Sequence, residues 1–292
     1  MLGLPRPANM LFLYLLGFYI LLLSLKVDYR LAVVGAIAFA FSSYFFIIIQ
    51  AGHMTKAHAI AYLPMVVAAV LYTYRGKMLL GGVLTALTVA LELYANHLQI
   101  TYYLVLMLLL IGVVQFVKDL KTNNLADFAK RTGILVLAAL LASGTSLTRL
   151  ATTMEYGKDS TRGKSELTDN LDNKTSGLDK DYATSWSYGI AESFTLLIPN
   201  FHGGASQGAL TTDSETYQAI KRAPNAKQLI KQLPLYWGTQ PFTSGPTYAG
   251  SIVIFLFVLS LCLLAVCLLT PVFYYLYILF SFIIVVCLFV VV

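Results

Sequence analysis

The chain has 292 residues, of which 58% are hydrophobic and 12% charged, with a mean hydropathy of +0.73. Soluble domains average about 25% charged residues, and no soluble core has room for this much apolar surface. The net charge of +6 does not mark a nucleic-acid partner: ten of the fourteen acids and nine of the twenty bases fall between Glu155 and Lys231, which leaves that stretch near neutral, and most other bases sit in short connections between apolar runs.

A membrane-crossing helix needs about 20 mostly apolar residues. Eight runs meet or approach that length, at residues 9–25, 31–50, 57–74, 78–97, 98–117, 132–151, 249–270 and 271–292. The first lacks a basic leader and a small-residue cleavage site, so it reads as a retained span. Pro64 is expected to kink the third, and Pro271 to mark a hairpin between the last two. The predicted fold is therefore an all-α integral membrane protein of about eight transmembrane helices. Residues 1–151 form a six-helix transmembrane region, residues 152–248 one large extracytoplasmic loop of mixed or irregular structure, and residues 249–292 two further spans. Cys262, Cys267 and Cys287 all fall in the last two runs and read as inert buried thiols.

Charge alternates along the connections. The first holds Lys26 and Arg30, the third Arg75 and Lys77, and the fifth Lys118, Lys121, Lys130 and Arg131, whereas the second holds only Lys56 and the fourth no base. The positive-inside rule places the odd connections in the cytoplasm, and the second, the fourth and the large loop on the outer face. The same rule puts the N-terminus outside, and residues 282–292 run apolar to the last position without an interfacial anchor. A chain shortened at both ends is the expectation from this pattern.

Within the loop, two amphipathic helices are expected at residues 214–222 and 225–233. The second sets Lys227 and Lys231 on one face and Leu229, Ile230 and Leu233 on another, as suits a helix at a membrane surface. Tyr236 and Trp237 are expected in the outer aromatic belt. The glycine-rich stretch from His202 to Gly208 lacks the lysine-serine ending of a nucleotide loop, and is weak ground for a phosphate site.

Candidate chemistry gathers at the outer face. Glu92 is an ionisable group within an apolar span, where it needs a partner or a wet cavity. Asn96 and Gln99 follow at i+4 and i+7, on nearly the same face if the helix continues. The stripe reads either as a cavity lining with Glu92 as base or proton carrier, or as a hydrogen-bonded packing group. His53, Lys56 and His58 cluster at the second connection and His97 enters from the fourth. No metal site is assigned: a five-residue spacing splays His53 from His58, and no paired-ligand motif accompanies them. A divalent metal stays open without support. A phosphate-facing role fits Lys56 at a helix start, beside the plainer reading of interfacial residues meeting water. Arg162 lies in a basic group with Lys158 and Lys164, suited to a phosphate or diphosphate, though a solvated mixed-charge loop explains it too. Arg149 either joins that group or snorkels to the interface. Trp186 has the shape to stack on a sugar ring or to fill a small core in the loop.

Eight stretches resemble the bacterial YfhO-type membrane proteins, particularly those of Bacteroidetes. They are Leu4-Pro-Arg-Pro-Ala-Asn9, Ala51-Gly-His-Met-Thr-Lys-Ala-His58, Glu92-Leu-Tyr-Ala-Asn-His97, Glu155-Tyr-Gly-Lys-Asp-Ser-Thr-Arg-Gly163, Gly177-Leu-Asp-Lys-Asp-Tyr182, Trp186-Ser-Tyr-Gly189, Leu197-Ile-Pro-Asn200 and Tyr236-Trp-Gly-Thr-Gln-Pro-Phe242. The likeness covers residues 2–258. It implies a GT-C-like glycosyltransferase in the bacterial cytoplasmic (inner) membrane that moves a sugar from a polyprenyl-phosphate donor to a cell-envelope glycan acceptor, with no nucleic-acid partner and no identified cofactor. Members are longer, and GT-C enzymes carry a catalytic acid in a first outer loop; this chain has no acid before Asp28, and residues from 259 onward depart from the pattern. In that scheme Glu92 serves as base, Lys56 and Arg162 contact phosphate, His53, His58, Asn96 and His97 shape the pocket, and Trp186 stacks on sugar. The alternative is a multispanning transporter or lipid-handling protein in which Glu92 carries protons or binds a head group.

Overall fold

The computed structural model describes residues 4–160 and 180–267. Among them the regular elements are helical, with two isolated antiparallel bridges and no strand. The chain divides into two compact units: residues 1–41 with 52–163, and residues 42–51 with 164–292.

The first unit is a helical bundle. Helix α1 (Ala8–Ser24) is followed by α2 (Tyr29–Ala40), and the chain then enters the second unit for α3 (Ser43–Gln50). It returns as α4 (Met54–Tyr74), α5 (Met78–Tyr94), α6 (Leu98–Lys121), α7 (Leu125–Thr145) and α8 (Leu147–Lys158). The turns after α1, α4, α5 and α6 are short because a left-handed residue stops each of these helices: Lys26, Gly76, Asn96 and Asn123 all have φ between 55° and 92°. Glycine and asparagine enter that region readily, which is why such residues terminate helices.

Helix α4 is the axis of this bundle. Nearly every residue from Ala57 to Val70 is buried, and α1, α5, α6 and α7 all pack against it. It runs as one element through Pro64. Gly17 of α1 allows the tightest approach: a Cβ there would lie 2.8 Å from the Ala61 carbonyl oxygen. Nearby, the Tyr14 hydroxyl donates to the Ala57 carbonyl at 2.9 Å, and Phe18 stacks on Phe39 of α2 with centroids 4.3 Å apart.

Helices α4 and α6 are each long and apolar enough to cross a membrane. The pairs α2 with α3 and α7 with α8 pass the same test if each is one span, and α1, α5 and Ser251–Leu263 are shorter apolar helices. Two expected spans are thus broken. The run at 31–50 divides at Phe41–Ser42, where Ser42 adopts ψ 136° and starts a new helix. The run at 132–151 bends by 76° at Ser146, inside the polar cluster Ser143-Gly-Thr-Ser146.

In the second unit, α3 is held by its first residue. The Ser43 hydroxyl accepts from the Tyr248 amide at 2.7 Å and donates to the Tyr248 carbonyl at 3.0 Å. The rest holds α9 (Lys180–Thr184), a 3-10 turn at Glu192–Leu196, α10 (Glu215–Ile220), α11 (Ala226–Leu229) and α12 (Ser251–Cys267). Ser214 caps α10 by accepting from the Tyr217 amide. Helix α11 stops before Lys231, so the expected cationic face does not form; Ile230 is buried and its carbonyl accepts from the Leu210 amide at 2.7 Å. Cys262 is exposed on α12, not buried as expected, and the expected span at 271–292 lies outside the described residues.

Candidate functional site

Helix geometry sorts the polar groups of the first unit between its two ends. Helices α4 and α5 form an antiparallel hairpin through a three-residue turn, so the start of α4 faces the end of α5. At 1.5 Å per residue, Glu92 lies about 21 Å from the start of α5, while His58 and Lys56 lie about 24 Å and 27 Å from the end of α4. They therefore share one end of the bundle with His53, which immediately precedes α4, and with Asn96 and His97. The other end carries Lys26 and Arg30, then Arg75 and Lys77, then Lys118, Lys121, Lys130 and Arg131. Contacts across the helices fix that register: Tyr74 stacks on Phe128 of α7 with centroids 6.0 Å apart, and its hydroxyl lies 3.2 Å from the Thr132 hydroxyl. At this end Asp119 is buried, accepting from the Gln115 amide at 2.9 Å and facing Arg131 at 3.8 Å.

Glu92 is wholly buried. Its carboxyl group accepts from the Thr101 hydroxyl, with the oxygen 2.9 Å from Oε1 and 3.2 Å from Oε2. Thr101 sits in the first turn of α6, so the short α5–α6 connection is what delivers the donor. The expected stripe from Glu92 through Asn96 to Gln99 does not form, because the helix stops at Tyr94 and Asn96 turns left-handed with φ 55°. Asn96 and Gln99 are exposed, and the Gln99 amide donates to the Tyr103 hydroxyl at 3.1 Å.

Lys56 and His58 belong to α4 itself rather than to a loop. His58 Nδ1 lies 2.7 Å from the Met54 carbonyl of its own helix, and His53 is exposed. Arg149 joins this end from α8: it donates to the Tyr94 carbonyl at 2.8 Å and lies 4.1 Å from the centroid of the Tyr94 ring. It thereby caps the C-terminus of α5, where carbonyls lack helical partners. An apolar cavity of about 260 Å³ opens between α1, α4 and α5, with Phe12, Met65 and Leu91 in its wall. Leu91 is the chain neighbour of Glu92. Among the described residues, no three His, Cys, Asp or Glu side chains gather as a metal site.

Trp186 belongs to the second unit, and Arg162 lies outside the described residues. Trp186 is 38% exposed, edge-on to Tyr182 and Phe242 at 5.5 Å and 5.4 Å, and its carbonyl accepts from the Gln240 amide at 2.6 Å. The same unit holds Glu192, a buried acid that the sequence pattern does not single out. Its carboxyl accepts from the Tyr236 hydroxyl at 2.5 Å, and from the Gly189 amide, the Thr239 amide and the Thr239 hydroxyl at 3.4 Å each. Burial, helped by this hydrogen bond, pushes the Tyr236 hydroxyl up to about 12. Tyr236 and Trp237 are accordingly not a matched pair: the first turns inward to Glu192, and the second is 75% exposed.

The glycine-rich stretch has a structural use. The Gly204 amide donates to Leu235, the Gly208 amide exchanges bonds with Leu233, and the Trp237 amide donates to His202, all at 2.8–3.0 Å. Gly203 has φ 86°, and a Cβ there would overlap the Leu235 carbonyl. These amides are spent on pairing two chain segments and are not aimed at an anion.

No match was found to any model of a known protein family, to any curated protein or to any solved structure.

Proposed function

We propose that this chain is a multispanning protein of a bacterial cytoplasmic membrane, GT-C-like, that transfers a sugar from a polyprenyl-phosphate donor to a cell-envelope glycan. The observation that supports the membrane part of this reading is the sorting of polar groups along the bundle, with basic connections at one end and His53, Lys56, His58, Glu92, Asn96 and His97 at the other, while the sugar transfer rests on the resemblance of the eight stretches quoted above. The positive-inside rule makes the basic end cytoplasmic and the histidine-bearing end extracytoplasmic. Large apolar side chains stay exposed between the ends, among them Leu109, Leu110, Val113 and Leu140 at 58–65%. Such a belt suits lipid and is costly in water. About eight spans are proposed, with residues 152–248 as the extracytoplasmic loop.

In this scheme Glu92 acts as base, taking the proton of the acceptor hydroxyl as its oxygen bonds to the anomeric carbon. The bond from that carbon to the phosphate oxygen breaks, and polyprenyl phosphate leaves with the bonding electrons, held by Lys56 and Arg162. The cavity beside Leu91 receives part of the isoprenoid chain, and His53, His58, His97 and Asn96 shape the pocket; in the second unit, Trp186 offers its ring face to a sugar. Glu92 is shut off from solvent, so its Thr101 contact has to open for this step. The same closure favours a second reading, in which Glu92 is a proton-carrying carboxyl in a transporter or lipid-handling protein.

The two readings separate experimentally. Membranes bearing the protein are supplied with labelled polyprenyl-phosphate sugars, and transfer into envelope glycan is followed. Transfer that falls at least 100-fold in Glu92→Gln supports the enzyme. No transfer from any donor, with proton-coupled uptake in vesicles that Glu92→Gln abolishes, supports the transporter instead.

A further inference from the structure

Helix α8 departs from α7 at 76°, which sets it close to the plane that α7 would cross. No other helix lies packed along it among the described residues. Its composition is mixed, yet Leu147, Leu150, Ala151 and Met154 recur at the i, i+3, i+4, i+7 spacing that puts them in one arc of about 100°. Most of that stripe is uncovered: Leu147 is 65% exposed and Met154 70%, Ala151 is exposed and Leu150 half-buried. Thr152 and Tyr156 lie on the opposite side of the helix. The stripe also continues an apolar surface, because α7 exposes Val136, Leu137, Leu140 and Leu141 just before the bend. Arg149 fastens the first turn of α8 to the end of α5 through the Tyr94 carbonyl and ring, so the bend is held at the end of the bundle.

From this geometry we infer that α8 is an in-plane interfacial helix, docked on the outer lipid leaflet by its Leu147–Leu150–Ala151–Met154 stripe. A bent segment with a narrow apolar face, a polar back and an anchor at the membrane boundary has the form of a helix lying at the level of the headgroups. The partner is the bilayer itself. The inference rests on the membrane reading above.

The test uses the full chain in phospholipid nanodiscs, with Cys262, Cys267 and Cys287 replaced by serine and an environment-sensitive fluorophore on single cysteines. Met154→Cys and Leu147→Cys probe the stripe, Thr152→Cys the back of α8, and Leu109→Cys the exposed face of α6. Lipids carrying a quencher near the headgroup and others carrying it deep in the chain report depth. The expected result is quenching at Met154 and Leu147 by the shallow quencher at least threefold stronger than at Thr152, with Leu109 answering to the deep one. If Leu109 is quenched while Met154 and Leu147 match Thr152, the inference about α8 is overturned and the membrane reading stands. A stripe shielded from lipid and water quenchers alike is covered by protein, which overturns it as well. If Leu109 escapes both lipid quenchers, the membrane reading itself fails and α8 falls with it.

Discussion

Replacing Glu192 with glutamine keeps the shape of the side chain and changes one oxygen to an NH2 group. In the native protein both oxygens are acceptors, one for the Tyr236 hydroxyl and the other for two backbone amides and the Thr239 hydroxyl. An amide cannot satisfy both sides. With its oxygen toward Tyr236, its NH2 meets the Gly189 and Thr239 amides, donor against donor. Turned over, its NH2 faces the Tyr236 hydroxyl, whose proton then has no acceptor there and whose oxygen already accepts from the Gln240 amide at 3.0 Å. Losing a hydrogen bond to a charged group costs about 1.5–3 kcal/mol. At about 1.4 kcal/mol per tenfold, local opening becomes about 10- to 150-fold easier. Hydrogen exchange read on peptides covering residues 186–192 and 236–240 measures this, with α4 peptides as the unaffected reference. Unchanged exchange at both segments would refute the claim that Glu192 joins them.

Thr101→Val removes the donor to a buried carboxyl and is expected to destabilise the bundle by about 1–3 kcal/mol; adding Glu92→Leu should recover part of the loss in detergent melts, and a double variant weaker than the single one would contradict the pairing. The Tyr236 hydroxyl, pushed up to about 12, sits above its unfolded value of about 10. Its contribution is therefore whole below pH 10 and lost as pH rises through 12, so Tyr236→Phe should flatten the alkaline loss of stability over that window. Phenolate absorbance that shows all tyrosines titrating near pH 10 in the folded protein would argue against it. Gly203→Ala adds a Cβ at a left-handed φ where the cost alone is about 1–2 kcal/mol, and it should speed proteolysis near His202; equal cleavage rates would show that the close approach to Leu235 is unimportant.

Much of the helical frame could be read from the sequence because apolar runs act locally. The runs at 57–74 and 98–117 fall on α4 and α6, whereas the left-handed turn at Asn96, which ends α5 before the expected stripe can reach Gln99, leaves no mark in the apolar pattern. The break at Ser42 escaped that logic: the aromatic residues around it, Phe41 and Tyr44, keep the hydropathy high, and Tyr248, which holds the adjacent Ser43, lies 205 residues beyond it. The bend at Ser146 was hidden similarly by averaging over the leucines before it. Glu92 stood out as an acid in an apolar run, whereas its donor Thr101 is an ordinary residue until the turn at Asn96 brings α6 back. Glu192 gave no signal, since its identity as a buried acid depends on Tyr236, 44 residues away. The glycines from 203 to 208 gave weak ground for a phosphate site, and their use in pairing, with the Gly204 and Gly208 amides on Leu235 and Leu233, depends on a segment some 30 residues further on.

In the proposed topology the histidine-bearing end of the bundle and the basic end lie on opposite sides of a membrane. Single cysteines at His53, His97 and Lys121, in a background lacking native cysteines, can be exposed in intact cells to a maleimide that does not cross the membrane. Labelling is expected at His53 and His97, and at Lys121 only after the cells are opened. Reaction at Lys121 in intact cells, with His53 and His97 protected, would contradict this topology.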